Sequence, residues 1–237
     1  MNKITYIEDP ELEAKYKTME RLGSELGVPV PQTYLEVKVL DNQGRTIHAH
    51  RQRSHSWNRN AYNWFYSQFG QLQNVGSTFG PGAITIKDTG GSIRVANVCI
   101  FINTPWLGYK ANAGQYDRGI IVGSGNEAEA FDCYSLQSVI SHGTGAGQLD
   151  HAASDLPLRS WNDSSRIFSA TLARFFNNNS GGDVDVNEVG LVAGAIRADS
   201  ASDRCALVSR DVLASTVTVP DTGQLKVTYT IEIAYPE

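Results

Sequence analysis

Three histidines in the first quarter of the chain are the first candidates for metal chemistry. His48 and His50 are two residues apart on a predicted strand, so their side chains share a face, and His55 follows nearby. No Cys or His pair with metal-site spacing accompanies them, and arginines lie around them. The spacing therefore predicts polar hairpin residues, and we expect no metal site and no cofactor.

An acidic segment, Gly182–Glu188, begins with the D-x-D-x-N pattern of a calcium loop. Glu188 stands where the EF-hand requires glycine, and Gly194 stands where it requires a bidentate glutamate. These mismatches exclude an EF-hand. The segment instead predicts a turn with solvated acids that leads into a strand.

Motifs of nucleophilic and phosphate-binding enzymes are missing from the sequence. There is no G-x-S-x-G elbow, and the glycine runs Gly123–Gly125 and Gly143–Gly147 lack the Lys-Ser/Thr pair of a phosphate loop. We therefore expect no catalytic residues and a protein that is not an enzyme. A polysaccharide hydrolase stays an alternative, because the separation of two carboxylates cannot be read from sequence.

Arginines and aromatic residues are interleaved in one basic aromatic cluster. Its members are Arg45, Arg51, Arg53, Trp57, Arg59, Tyr62 and Trp64. Such residues stack on single-stranded nucleic acid, and they also anchor protein interfaces. The formal net charge of -5 disfavours nucleic acid. We therefore interpret the cluster as a protein interface or part of the core.

A second group of aromatic residues, Trp106, Tyr109 and Tyr116, lies in a predicted loop between glycines. Exposed aromatic rings stack on sugars, so a carbohydrate-binding adhesion module is an alternative function and a glycan an alternative ligand. Loop aromatics also serve as plugs for a hydrophobic core.

The composition of the 237 residues, 41% of them hydrophobic, is sufficient for a full core. Residues 1–10 contain no apolar signal region, and no later segment is apolar enough to span a bilayer. We expect a protein made in a cytoplasm, with no membrane partner. The spacing of Cys99, Cys133 and Cys205 predicts reduced core thiols.

The N-terminal segment has the pattern of an amphipathic helix that starts at Asp9-Pro10-Glu11 and ends near Gly27. Its apolar stripe consists of Leu12, Tyr16, Met19, Leu22 and Leu26. The two prolines of Val28–Pro31 predict a stiff linker. Residues 1–31 are therefore predicted to form a helical arm whose stripe requires a partner.

The elements that would carry the basic aromatic cluster are a hairpin and a helix. Tyr34–Leu40 and Thr46–His50 flank a turn-rich tetrad, which is typical of a hairpin. Trp57–Leu72, which includes Phe65, predicts an aromatic-rich helix capped by Ser54 or Ser56.

The last third of the chain contains four predicted strands: Arg166–Phe176, Val184–Val192, Arg204–Ser209 and Gln224–Tyr235. Apolar and other residues alternate along the whole of the last one, which places one face in a core. We predict a mainly β fold, an antiparallel β-sandwich of jelly-roll type, over residues 32–237. In a variant of this division, 32–75 form a hairpin and helix packed on a 76–237 sandwich.

Several segments, taken together and in order, resemble structural proteins of tailed-bacteriophage virions. They are Arg53–Asn60, Gly119–Gly125, Phe175–Gly181, Val186–Leu191, Ser209–Leu213 and Val217–Asp221. The resemblance implies a β-rich virion component, present in many copies in the tail, the baseplate or the capsid surface. It transfers no catalytic residues.

The resulting expectation is a noncatalytic virion structural protein, made in the host cytoplasm, whose partners are other virion proteins and copies of itself. The predicted assembly interface consists of Leu12, Tyr16, Met19, Leu22, Leu26, Arg53, Trp57, Arg59, Tyr62, Trp64 and Phe65.

Overall fold

A computed structural model describes residues 3–6, 9–70, 84–96, 108–194 and 205–235 of the chain. Strands predominate among them, which confirms the prediction of a mainly β protein with antiparallel sheets. In chain order the elements are β1 (Lys3–Tyr6), α1 (Pro10–Leu26), β2 (Pro31–Leu40), β3 (Thr46–Arg53), α2 (Arg59–Gly70), β4 (Thr85–Lys87), β5 (Ile93–Val95), β6 (Gly119–Gly123), β7 (Asp150–His151), β8 (Leu158–Asn162), β9 (Ile167–Asn177), β10 (Val184–Gly194), β11 (Cys205–Val219) and β12 (Gln224–Ala234).

The largest sheet within these ranges has seven strands, in the order β1-β3-β2-β12-β9-β7, and β8 pairs with β9. Its pairs are antiparallel except for β1 and β3, which are parallel. The predicted alternation of β12 is visible in its burial, because Leu225, Val227 and Tyr229 are fully buried while the residues between them are partly exposed. One face of this central strand therefore lies in the core, as predicted.

A three-stranded sheet, β11-β10-β6, carries the second part of the core. Buried side chains of both sheets belong to one hydrophobic cluster, to which β10 contributes Val189 and Leu191. A smaller cluster that includes Val192 and Leu207 covers the other face of the three-stranded sheet. Gly190 is required there, because a Cβ atom would lie 2.9 Å from both Leu136 and Leu207 side chains. A short hairpin of β4 and β5 completes the described strands.

Helix α1 begins and ends with standard caps. The Asp9 carboxylate accepts hydrogen bonds from the backbone N–H groups of Glu11 and Leu12, and Gly27 closes the helix at φ 68°. The helix packs against β2 and β3 through polar groups, since Glu13 pairs with Arg53 and Glu20 accepts from Gln32. Residues 3–6, which precede α1, belong to the large sheet through the pairing of β1 with β3.

Helix α2 is capped by Asn58, whose side-chain oxygen accepts from the backbone N–H of Ala61 at 3.3 Å. The prediction of Ser54 or Ser56 as the cap is wrong, because both hydroxyls donate instead to Asp211 on β11. The Asn58 amide also donates to the Leu207 carbonyl, which fixes the start of α2 against β11. No helix in the part of the chain that the structure describes is long and apolar enough to cross a membrane.

Candidate functional site

The predicted interface residues fall into an exposed set and a packed set. The exposed set consists of Met19, Leu22, Leu26, Arg59, Tyr62 and Phe65. Leu12, Tyr16, Trp57 and Trp64 are partly buried, and both tryptophans pack against the main core. Arg53 is buried, with its charge paired to Glu13. Only the exposed set is available to another molecule in full.

The α1 stripe is partly buried at its N-terminal end and exposed over the rest of the helix. The Arg53 guanidinium stacks on the Tyr16 ring at 4.1 Å and pairs with Glu13. This contact uses Tyr16 of the stripe, whereas Met19, Leu22 and Leu26, further along the helix, are exposed to solvent, and Leu26 is 74% exposed. We call these three residues the α1 ridge.

The exposed face of α2 continues into a loop that the sequence pattern did not connect with it. Phe131 lies with its ring centroid 5.8 Å from that of Tyr62, and the Arg59 guanidinium lies 5.5 Å from the Phe131 ring. Phe65 and Tyr66, each about three-fifths exposed, extend the same face. We call Tyr62, Phe65, Tyr66 and Phe131 the aromatic surface. Phe131 was missed because it follows Tyr62 by almost seventy positions in the chain.

Tyr16, on α1 before the α1 ridge, is influenced by charged and polar groups of other elements. Burial raises the pKa of Tyr16, Arg53 lowers it in part, and the neighbouring hydroxyl of Tyr62 contributes to the rise. Tyr62 of α2 therefore contributes to the electrostatic environment of Tyr16 on α1.

The three predicted ligand-facing aromatic residues differ in their outcome. Trp106 lies outside the described residues. Tyr109 packs against the main core, and burial raises its pKa to about 12. Tyr116 is 51% exposed. Of the two that the structure describes, only Tyr116 therefore presents an open ring for stacking on a sugar.

Asp211 is the centre of a buried polar cluster behind α1 and α2. Four hydroxyls donate to its carboxylate: Ser56 to Oδ1 at 2.7 Å, and Ser54, Tyr229 and Ser209 to Oδ2 at 2.9, 2.8 and 3.1 Å. Burial raises the pKa of Asp211, and the four donors offset part of that rise. The cluster therefore holds a buried carboxylate, both oxygens of which accept hydrogen bonds from hydroxyl groups.

Two further titratable side chains face Asp211. The ligating atoms of His55, Glu129 and Asp211 all lie within 4.8 Å of one another, and His55 Nδ1 is 3.7 Å from the Glu129 carboxylate. His48 and His50, which the sequence placed beside His55, are not part of this group. His50 is buried in β3 and its Nε2 contacts Gln52 instead. The partners of His55 come from distant segments, which the spacing of histidines could not indicate.

Glu188 and Arg210 form a fully buried ion pair, with Nε 2.7 Å from the carboxylate. Glu188 also accepts from three backbone N–H groups of one segment, those of Gly125, Gln137 and Ser138. Arg210 donates to the carbonyls of Glu127 and Ala128. The pair therefore positions residues 125–138, the segment that carries both Glu129 and Phe131.

Arg174 and His151 organise a different region, around residues 108–120. Within the described residues, all the acceptors of the fully buried Arg174 are carbonyl oxygens, and burial lowers its pKa to about 10. Those carbonyls belong to Asn112, Gln115, Arg118, Ile120 and Ala152. His151 is fully buried with its ring against Phe176, and neither ring nitrogen forms a hydrogen bond with any part of the chain that is described.

His151 should make stability depend on pH. Burial, and secondarily the charges of Arg174 and His142, lower its pKa from 6.5 to about 4, although the nearby Gln115 backbone and the charge of Asp150 act in the opposite direction. The unfolded chain therefore binds a proton that the folded chain does not, and stability is lost as pH falls from about 6.5 to about 4, by about 3 kcal/mol. Denaturant unfolding of His151→Leu across this range should lack that loss. Parallel losses in wild type and variant would contradict the assignment.

Comparison of the chain with protein-family models, with curated proteins and with solved structures finds no significant match.

Proposed function

We propose that this chain is a noncatalytic structural subunit of a tailed-bacteriophage virion. It assembles with copies of itself and with other virion proteins through the α1 ridge and the aromatic surface. The observation that carries the proposal is that α1 and α2 each leave several large apolar side chains exposed to solvent. An exposed apolar area of this kind marks a contact with another molecule.

The chemistry of these surfaces suits a protein partner. Aromatic residues and arginine are the anchors most often found at the centre of protein interfaces, and Arg59 lies over Phe131 within the aromatic surface. The charge of Arg59 is paired with Asp132 at 2.6 Å, so the surface offers no strong positive field to a nucleic acid. Met19 and Leu26 add exposed apolar area, and the unbranched side chain of Met19 can adapt to a partner.

The virion location is supported by the ordered segments that resemble structural proteins of tailed phages. The same inference covers the finer architecture: we propose that the seven-stranded and three-stranded sheets pack as a β-sandwich, because both contribute to one buried cluster. Synthesis in the host cytoplasm and incorporation into the particle follow from this proposal. The jelly-roll connectivity stays a prediction.

Charge on the α1 ridge should weaken self-association. In sedimentation experiments over a concentration series, the wild-type chain should form oligomers, and the double variant Leu22→Glu, Leu26→Glu should dissociate at least about tenfold more readily, because buried carboxylates lack partners at an apolar interface. The single variant Leu26→Glu should also weaken association, and Ala14→Glu is its matched control, since it adds the same single charge at another exposed position of α1.

Two outcomes would overturn the proposal. A wild-type chain that stays monomeric at all concentrations, and that is missing by mass spectrometry from purified particles of its source phage, has no assembly role. Equal weakening by Ala14→Glu would show that helix charge, rather than the α1 ridge, controls association.

A further inference from the structure

We infer that His55, Glu129 and Asp211 form a binding site for a divalent transition-metal ion of the zinc class. The site is independent of the proposed assembly role and lies where the segment after β3, the loop that Glu188 positions, and β11 meet. One imidazole nitrogen and two carboxylates form a ligand set that zinc accepts, with a fourth position left for water.

The ligand atoms are near the spacing that such an ion requires. Bonds of about 2.1 Å in a tetrahedral site place ligand atoms about 3.4 Å apart. His55 Nδ1 and the Glu129 carboxylate are already 3.7 Å apart, and all three ligating atoms lie within 4.8 Å. The closure of about an ångström needs only side-chain rotation, because His55 is exposed and Glu129 is partly exposed.

Each carboxylate has one oxygen that is held and one that is more open. Glu129 Oε1 accepts from the backbone N–H of Val212 at 2.9 Å, which leaves Oε2 facing His55. On Asp211, three hydroxyls donate to Oδ2, whereas among the described residues Ser56 alone donates to Oδ1. Oδ1 thus keeps a lone pair for an ion.

The hydroxyls around Asp211 correspond to the groups that hydrogen-bond to metal ligands and orient them. Ser54, Ser56, Ser209 and Tyr229 fix the orientation of a ligating carboxylate that is itself buried. Hydrogen bonds from the hydroxyls alone are enough to satisfy a buried acid, and they do not explain why a histidine and a second carboxylate lie beside it. The exposed side of His55 provides the entry path for the ion.

Zinc titration of the full chain tests the inference. After dialysis against EDTA and transfer to a non-chelating buffer, isothermal calorimetry with ZnCl₂ should give one ion per chain, and zinc should raise the thermal unfolding midpoint. His55→Ala and Glu129→Gln should each weaken binding by at least about tenfold, and Ser56→Ala should weaken it less. X-ray absorption of the loaded protein should show one imidazole with oxygen neighbours.

His142→Ala is the matched control, because His142 is another exposed histidine and lies 3.5 Å from the Asp150 carboxylate. Its zinc affinity should equal that of wild type. The inference is overturned if wild type takes up no zinc, if His55→Ala binds as tightly as wild type, or if His142→Ala loses binding to the same extent. Uptake of Ca²⁺ or Mg²⁺ in place of zinc would also overturn it.

Discussion

Replacement of Arg174 by methionine is expected to lower the free energy of unfolding by about 4 kcal/mol. Methionine fills a similar volume but donates nothing, so several buried carbonyl oxygens lose their hydrogen bonds. Those with the best-defined contacts belong to Ala152 and Ile120, at 2.8 and 2.9 Å from the guanidinium. Urea unfolding followed by circular dichroism measures the loss.

The matched control for this change is Arg159→Met. Arg159 lies in β8, where every residue is exposed, so its replacement should change the free energy of unfolding by less than about 0.5 kcal/mol. If Arg174→Met is equally mild, water replaces the guanidinium at the carbonyls and Arg174 does not organise residues 108–120.

Glu188→Gln is expected to cost about 3–5 kcal/mol, because it leaves the charge of Arg210 buried without a counter-ion. In the wild type, the carboxylate accepts hydrogen bonds from backbone N–H groups, among them that of Ser138 at 2.8 Å. The NH₂ group of glutamine would place a donor against such a donor. Thermal and urea unfolding measure the cost. Increased proteolysis between Gly125 and Ser138 should accompany it, because this segment loses its anchor.

Asp185→Asn provides the comparison for Glu188→Gln within the same strand. Asp185 is exposed and accepts from the Thr218 hydroxyl at 2.6 Å, so loss of its charge should cost less than about 1 kcal/mol. A Glu188→Gln variant that is no less stable than Asp185→Asn would show that the buried pair makes no net contribution.

The parts of the fold that the sequence predicted are those in which burial alternates simply. Apolar residues of β12 alternate along the strand, and the β2–β3 hairpin has a turn in which Asp41 accepts from the backbone N–H groups of Gln43 and Arg45. β8 was missed because all of its residues are exposed, so that no alternation marks it. β11 was predicted too short because two charged residues, Arg210 and Asp211, lie in its middle and are buried.

The polar clusters could not be predicted because their members are far apart in the chain. Ser54 and Asp211 are separated by 157 positions, and only the pairing of distant strands brings them together. Arg174 did leave a signal, since it falls in phase with the buried Leu172 and Phe176 on β9. A charged residue at an inward position predicts a buried anchor, although its partners depend on the loops that cover it.

The central position of β12 has a consequence for how the protein is made. β12 lies between β2 and β9 and pairs with both, and its partner residues in β2 are more than 180 positions earlier in the chain. The large sheet therefore stays in two pieces until almost all of this sequence has been synthesised. Until then, both pieces present an unpaired edge and an apolar face to solvent. Such long-range closure folds slowly, and the two pieces are prone to aggregate until β12 pairs with both of them.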